Sequence, residues 1–109
     1  MKAAVFWAMC AALVAAGAGQ RSGNPYEGNA DAVRAGEKLF GLHCAQCHGR
    51  SAEGVGQAPS LRSKKVQDTP PETLFETIKN GRMRHGMPTW AQLPSEQRWQ
   101  IVTYLRSLK

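Results

Sequence analysis

Three cysteines are all that this chain of 109 residues contains. Small exported domains usually lean on several disulfides, and that support is missing here. Cys44 and Cys47 stand three positions apart, so a bond between them would close a very small loop and staple little. Convincing strand runs are also lacking, which excludes a βαβ arrangement and leaves an all-α reading. The longest apolar stretch, residues 3–16, is shorter than the about 20 residues a helix needs to span a bilayer. Histidine is limited to His43, His48 and His85. Acidic residues number 8 against 14 lysines and arginines, a formal net charge of +6.

What is present begins with a leader. Lys2 is a charged n-region, residues 3–16 an apolar core, and Ala16-Gly17-Ala18 a small-residue cleavage site, the three parts of a secretory signal. Cleavage is expected after Ala18, with Gly19 next. Trp7, Ala8 and Met9 before Cys10 argue against a lipid-modified cysteine there, so Cys10 is expected to leave with residues 1–18. About ninety residues would remain, one domain by length, with an apolar core only marginal by itself. A large apolar cofactor would fill that deficit.

The stretch CAQCHG, residues 44–49, offers three chemistries. A redox dithiol expects its cysteines at the start of a helix in a βαβ pattern, and no such pattern exists. Zinc wants four ligands, and His43 and His85 stand at no familiar spacing from the motif. Cys-X-X-Cys-His is, by contrast, the attachment signature of c-type haem. Two thioethers reach the vinyl groups along one porphyrin edge, and the next residue brings its imidazole under the iron. Cys44 and Cys47 are thus the attachment residues and His48 the proximal ligand.

Around the motif, the pattern predicts three main helices and ordered loops. After a polar lead over residues 19–30, Asp31 is the expected N-cap of a helix through about Leu42, with Val33, Gly36, Leu39, Phe40 and Leu42 on or near one face. Gly36 is costly in a helix interior, so its expected use is a close approach by another helix, with Phe40 packed beside it. Residues 49–65 read as an ordered loop. Thr69 and Glu72 have capping-box spacing, Pro70 and Pro71 suit a first turn, and Gly81 suits a stop, so a second helix is predicted between them with Leu74, Phe75 and Ile78 buried. Residues 82–94 read as loop. Ser95 is the expected cap of a final helix whose Trp99, Ile101, Val102, Leu105 and Leu108 are apolar, with Tyr104 at the edge.

With these segments in place, residues 31–109 resemble the class I c-type cytochromes, small and carrying one haem c. Gly36 and Phe40 ahead of Cys44-Ala45-Gln46-Cys47-His48 resemble the family's first helix, and Ile101 with Tyr104-Leu105 its last. The resemblance implies that these two helices cross. It also implies that the carbonyl of Pro59, in APSL, accepts the Nδ1 hydrogen of His48, which would orient the ring and raise its basicity. Met83, His85 and Met87 compete for the sixth iron position. Pro88 holds Met87 in an extended loop, and the family's ligand stands in this Met-Pro context, so the resemblance implies Met87. Met83 as core packing and His85 as an exposed loop residue are the plain alternatives. Trp90 is either a pocket residue whose indole N–H reaches a propionate, as the resemblance implies, or a core aromatic.

An iron with both axial positions filled points to one-electron transfer rather than to an enzyme, and methionine with histidine raises the potential. Arg62, Lys64 and Lys65 form one basic cluster; Lys79, Arg82 and Arg84 flank the distal loop as another. Both suit a redox partner with an acidic docking surface, and export excludes nucleic acid. The expectation is a monomeric periplasmic carrier, without a membrane span once the signal is removed. A dehydrogenase or the bc complex would be its donor and a terminal oxidase its acceptor. NPYEG followed by the haem motif resembles carriers associated with quinoprotein alcohol dehydrogenases. Two other classes remain open: a haem enzyme or gas sensor with a displaceable distal ligand, and a subunit of a larger oxidoreductase.

Overall fold

The computed structural model describes residues 23–109; the signal, its cleavage site and Cys10 lie outside the described residues. Five α-helices succeed one another there: α1 Ala30–His43, α2 Ala45–His48, α3 Lys64–Gln67, α4 Pro71–Asn80 and α5 Ser95–Arg106, with a 3₁₀ turn at Met83–His85. Among the described residues β pairing is confined to two isolated bridges, Val55 with Ala58 and Arg82 with Met87. The fold is all-α, as expected. The three main helices are α1, α4 and α5; the short α2 covers the motif, and the short α3 begins at the end of the stretch read as loop.

The centre of the fold is α1 packed on α5, and Gly36 makes that contact possible. A Cβ at Gly36 would lie 2.0 Å from the carbonyl oxygen of Gln100 and 2.8 Å from Cβ of Tyr104, so only hydrogen fits. One turn on, the Phe40 and Tyr104 rings meet at 5.4 Å between centroids, tilted by 53°. Phe40, Ile101 and Val102 are fully buried, joined by Ala52, Ile78, Leu105 and Leu108. Leu42 departs from the expected face and is 69% exposed. It follows Phe40 by two positions, about 200° around the helix at 3.6 residues per turn, so burying one turns the other outward.

Helix starts differ from the sequence reading in a consistent way. Asn29, not Asp31, caps α1: its backbone is extended and its Oδ1 accepts from the Ala32 amide at 2.9 Å. Asp31 falls in the first turn, where its charge suits the helix dipole. The capping box of α4 does not form. Pro70 occupies the N-cap without a side-chain bond, Thr69 Oγ1 donates back to the carbonyl of Lys65 at 2.8 Å, and the Glu72 carboxylate accepts the Gly23 amide instead. Likewise Pro94 stands at the N-cap of α5 in place of Ser95, its carbonyl accepting from the Gln97 and Arg98 amides at 2.9 and 3.1 Å.

Long-range polar ties do the work that disulfides do elsewhere. Asn24, buried, donates from Nδ2 to Thr103 Oγ1 at 2.9 Å, so the polar lead lies against α5. Gln67 Nε2 donates to the carbonyls of Leu61 and Leu105 at 3.0 and 2.9 Å, and Arg106 Nη1 to those of Gln67 and Thr69. Arg98 is 8% exposed, with Nε on the Leu93 carbonyl and its guanidinium 4.4 Å above the Phe75 ring. Phe75 stacks on Trp99 at 4.0 Å. Arg98 Nη1 is buried without a hydrogen-bond partner, and the ring face beneath the cation offsets part of that cost.

Candidate haem site

Cys44 sits at the junction of α1 and α2. It terminates α1, its amide donating to the Phe40 carbonyl at 2.8 Å, and its own carbonyl accepts from the Cys47 and His48 amides at 3.2 and 3.0 Å. One helical turn therefore carries both thiols and the imidazole. Cys47 is exposed and Cys44 half-buried. Before attachment, burial pushes the Cys44 thiol up to about 11 and the neighbouring Cys47 adds to the shift, so the unattached side chain is a neutral thiol at neutral pH.

The loop after the motif folds back onto it. Gly54 donates to the His48 carbonyl at 2.7 Å, Leu61 to that of Ala52 at 2.8 Å, and Val55 pairs with Ala58. This path brings the Pro59 carbonyl to 3.2 Å from Nδ1 of His48. An Nδ1–H donated there leaves Nε2 as the lone-pair nitrogen, the tautomer a metal requires.

The distal segment is a closed hairpin. Arg82 and Met87 exchange both backbone bonds, at 2.8 and 3.1 Å, and the 3₁₀ turn between them ends at Gly86 in the left-handed conformation. Gly81 has φ +72°, and a Cβ there would lie 2.6 Å from the Pro88 carbonyl oxygen and 2.8 Å from that of Met87. Beyond the hairpin, the Trp90 amide donates to the Ile78 carbonyl at 3.0 Å. Met87 is half-buried, whereas Met83 is 69% exposed and His85 exposed. Met83 is therefore not core packing: it lies at the hairpin tip, beyond the reach of the helices. Half-buried Trp90 packs against the His43 ring at 5.0 Å, tilted by 48°. Sequence reasoning noticed His43 only as a candidate zinc ligand; its contact with a residue 47 positions away leaves no local signal.

Residues and a flat apolar cofactor fit one another. Two thiols and an imidazole with its Nδ1 directed at a carbonyl are the donors that covalent haem uses. Leu61, Leu74, Trp90 and Leu93 pack on the core yet stay only partly buried, and Val55 is 56% exposed, an apolar surface such a disc would cover. The other two chemistries lose their support. Among the described residues no strand accompanies the dithiol, and no group of three or more His, Cys, Asp or Glu could hold a metal ion.

Of the basic residues, Arg62 is committed to the fold: Nε donates to the Ser51 carbonyl and Nη1 to that of Leu108. Lys64 pairs with Asp68 one turn away. Lys65, Lys79, Arg82 and Arg84 are exposed. Among the described residues no helix is long and apolar enough to cross a membrane.

Comparison with known proteins agrees with the geometry. Residues 31–105 match the family described as cytochrome C oxidase, cbb3-type, subunit III. Cytochrome c550 of Pseudomonas aeruginosa is 35% identical over 88 residues, 77% of this chain and 61% of that protein. The quinohemoprotein alcohol dehydrogenase ADH-IIG of Pseudomonas putida is 36% identical over 74 residues, 67% of this chain but 10% of the enzyme. The crystal structure of cytochrome CL from the marine methylotrophic bacterium Methylophaga aminisulfidivorans superimposes with a TM-score of 0.66 at 32% identity, over 76% of this chain and 57% of the other. The chain thus spans less than two thirds of the length of these relatives. By the match over most of its helical part, the chain belongs to the cytochrome c family described as cbb3-type oxidase subunit III, as a small class I c-type domain whose cofactor is covalently bound haem c.

Proposed function

We propose that this chain is an exported one-electron carrier with Cys44 and Cys47 as the thioether residues, His48 and Met87 as the axial ligands, and Pro59 and Trp90 as supporting pocket residues. The observation that carries the reading is the His48 ring, held by the Pro59 carbonyl at 3.2 Å one residue after Cys47. Bound haem supplies an iron that gains or loses one electron. The protein's part is to hold both axial side chains so that little moves when the charge changes. Met87, tied into its hairpin by two backbone bonds, suits that role and disfavours an open site for gas binding or peroxide chemistry. The signal pattern of residues 1–18 supports export, and with it a periplasmic location for the carrier.

The exposed Lys79, Arg82 and Arg84 beside the hairpin support docking to an acidic surface on a dehydrogenase, the bc complex or a terminal oxidase. Lys79→Glu with Arg84→Glu should slow association with such a partner and flatten its salt dependence, since exposed charges are screened beyond about 10 Å at 0.1 M salt. A rate indifferent to salt in both proteins would reject the docking surface. The match to an oxidase subunit family favours a second reading, a cytochrome domain within a larger complex, and stable co-purification with large subunits would support it.

Denaturation followed by acid-acetone extraction tests the attachment. Haem should stay with the polypeptide, and the reduced protein should leave carbon monoxide unbound. Extractable haem would end the reading, and ready carbon monoxide binding would move it to the sensor or enzyme class.

A further inference from the structure

The hairpin that bears Met87 is fixed at its neck by the Arg82–Met87 bonds and at its exit by the Trp90 amide on Ile78. Both anchors belong to α4 and the hairpin itself. The Trp90 ring makes a different connection. Three residues after Met87, it packs on His43, the last residue of α1 and the neighbour of Cys44, with ring centroids 5.0 Å apart. That contact joins the chain segment that attaches the cofactor to the segment that would supply the sixth ligand. α4 shares the core with Phe40 through Ile78 and stacks on α5 through Phe75 and Trp99, and the His43–Trp90 pair adds a link that runs straight from the attachment end of α1 to the segment after Met87.

We propose that His43 is a positioning residue for the distal ligand: its ring, braced by the rigid end of α1, holds Trp90 and through it the backbone from Met87 to Trp90, and so keeps the Met87 thioether in place. The role is one of packing rather than of proton transfer, since a tilted aromatic pair is attractive whatever donors its rings carry. Its position favours such a role. Cys44 follows directly, so α1 cannot shift at this point without moving the attachment, and displacement of the Trp90 ring is therefore resisted by the same helix that is locked to α5 through Gly36.

The inference rests on Met87 being the sixth ligand, and the test separates the two ideas. In the intact holoprotein the sulfur-to-ferric charge-transfer band, carbon monoxide binding to the reduced form and the midpoint of urea unfolding are measured for wild type, His43→Ala, His43→Phe, Trp90→Leu and Met87→Ala. An aromatic pair of ordinary strength implies that His43→Ala raises the population with Met87 detached between about twofold and tenfold. The band should weaken and carbon monoxide binding quicken accordingly. His43→Phe, which keeps a ring, should restore the wild-type band, and His43→Ala should add nothing when placed on Trp90→Leu in the double variant. If His43→Ala lowers the unfolding midpoint while the band and the carbon monoxide rate stay at wild-type values, the contact is structural only and the inference falls. If Met87→Ala keeps the band, the ligand assignment fails and the inference fails with it.

Discussion

At Gly36 and at Gly81 backbone stands where a Cβ would go, and the two close approaches serve opposite ends. At Gly36 the backbone of α5 comes within 2.0 Å of where a Cβ would stand, deep in the packing of Phe40, Ile101 and Val102. At Gly81 the backbone of Met87 and Pro88 comes within 2.8 Å, but the residues around it are half-buried or exposed and the closure rests on hydrogen bonds. The first contact joins two helices by burying apolar surface, which dominates folding energetics. The second shapes a hairpin that contributes little apolar burial, so its value lies in where it puts one side chain. With Met87 as the proposed ligand, stability and iron ligation would fall to different parts of a very small protein.

Changes at the helix crossing should break the fold before they touch the ligand. Gly36→Val has no outlet, because the obstructing atoms are backbone, and its cost should exceed the ~3 kcal/mol usual for overpacking; the expected result is almost no recoverable holoprotein. Phe40→Ala should cost about 3–5 kcal/mol, read as a lower urea midpoint, while the sulfur-to-ferric band of the folded fraction remains. Loss of that band in step with stability would show that the two regions are not separable. At the hairpin, Gly81→Ala meets both a backbone conformation that is essentially glycine-only and the carbonyls of Met87 and Pro88, so it should cost at least about 1–3 kcal/mol and weaken the band more than Phe40→Ala does.

The smallest effect concerns the lead. The Gly23 amide holds the Glu72 carboxyl below the ordinary carboxylate range. A carboxyl lowered on folding stabilises above its unfolded pKa, and that contribution disappears as pH falls through the lowered value. Protection of the Gly23 amide from exchange should therefore persist through mild acidification and fade only below the ordinary carboxylate range, while the amides of α1 and α5 stay protected. Glu72→Gln should remove that pH dependence, and a lead equally protected above and below that range would show the tie to be unimportant.

Helix identity was legible because apolar spacing reports burial directly. The three main helices, the close approach at Gly36 and the haem motif all follow from local pattern, while the pairing of first helix with last came from the resemblance. Helix starts were less legible because caps are a competition among neighbours: Asn29 lies nearer the turn than Asp31, and Glu72 found a partner 49 residues away. Arg98 and Asn24 look like surface residues in sequence, yet they are buried by long-range partners, an aromatic ring face and a threonine hydroxyl, that no window of sequence contains. Leu42 and Met83 err the other way. Both are apolar and exposed, one turned outward by the burial of Phe40 and the other carried to a hairpin tip. His43 is the clearest omission at the site, since only the folded chain brings it to Trp90.

Ferric spectra of Met87→Ala and Met83→Ala, recorded side by side, test the division between core and ligand most directly. Loss of the soft sulfur donor should abolish the charge-transfer band and lower the potential in Met87→Ala, whereas Met83→Ala, altered at an exposed tip, should match wild type in both. A band that survives Met87→Ala and vanishes in Met83→Ala would contradict the account at its centre.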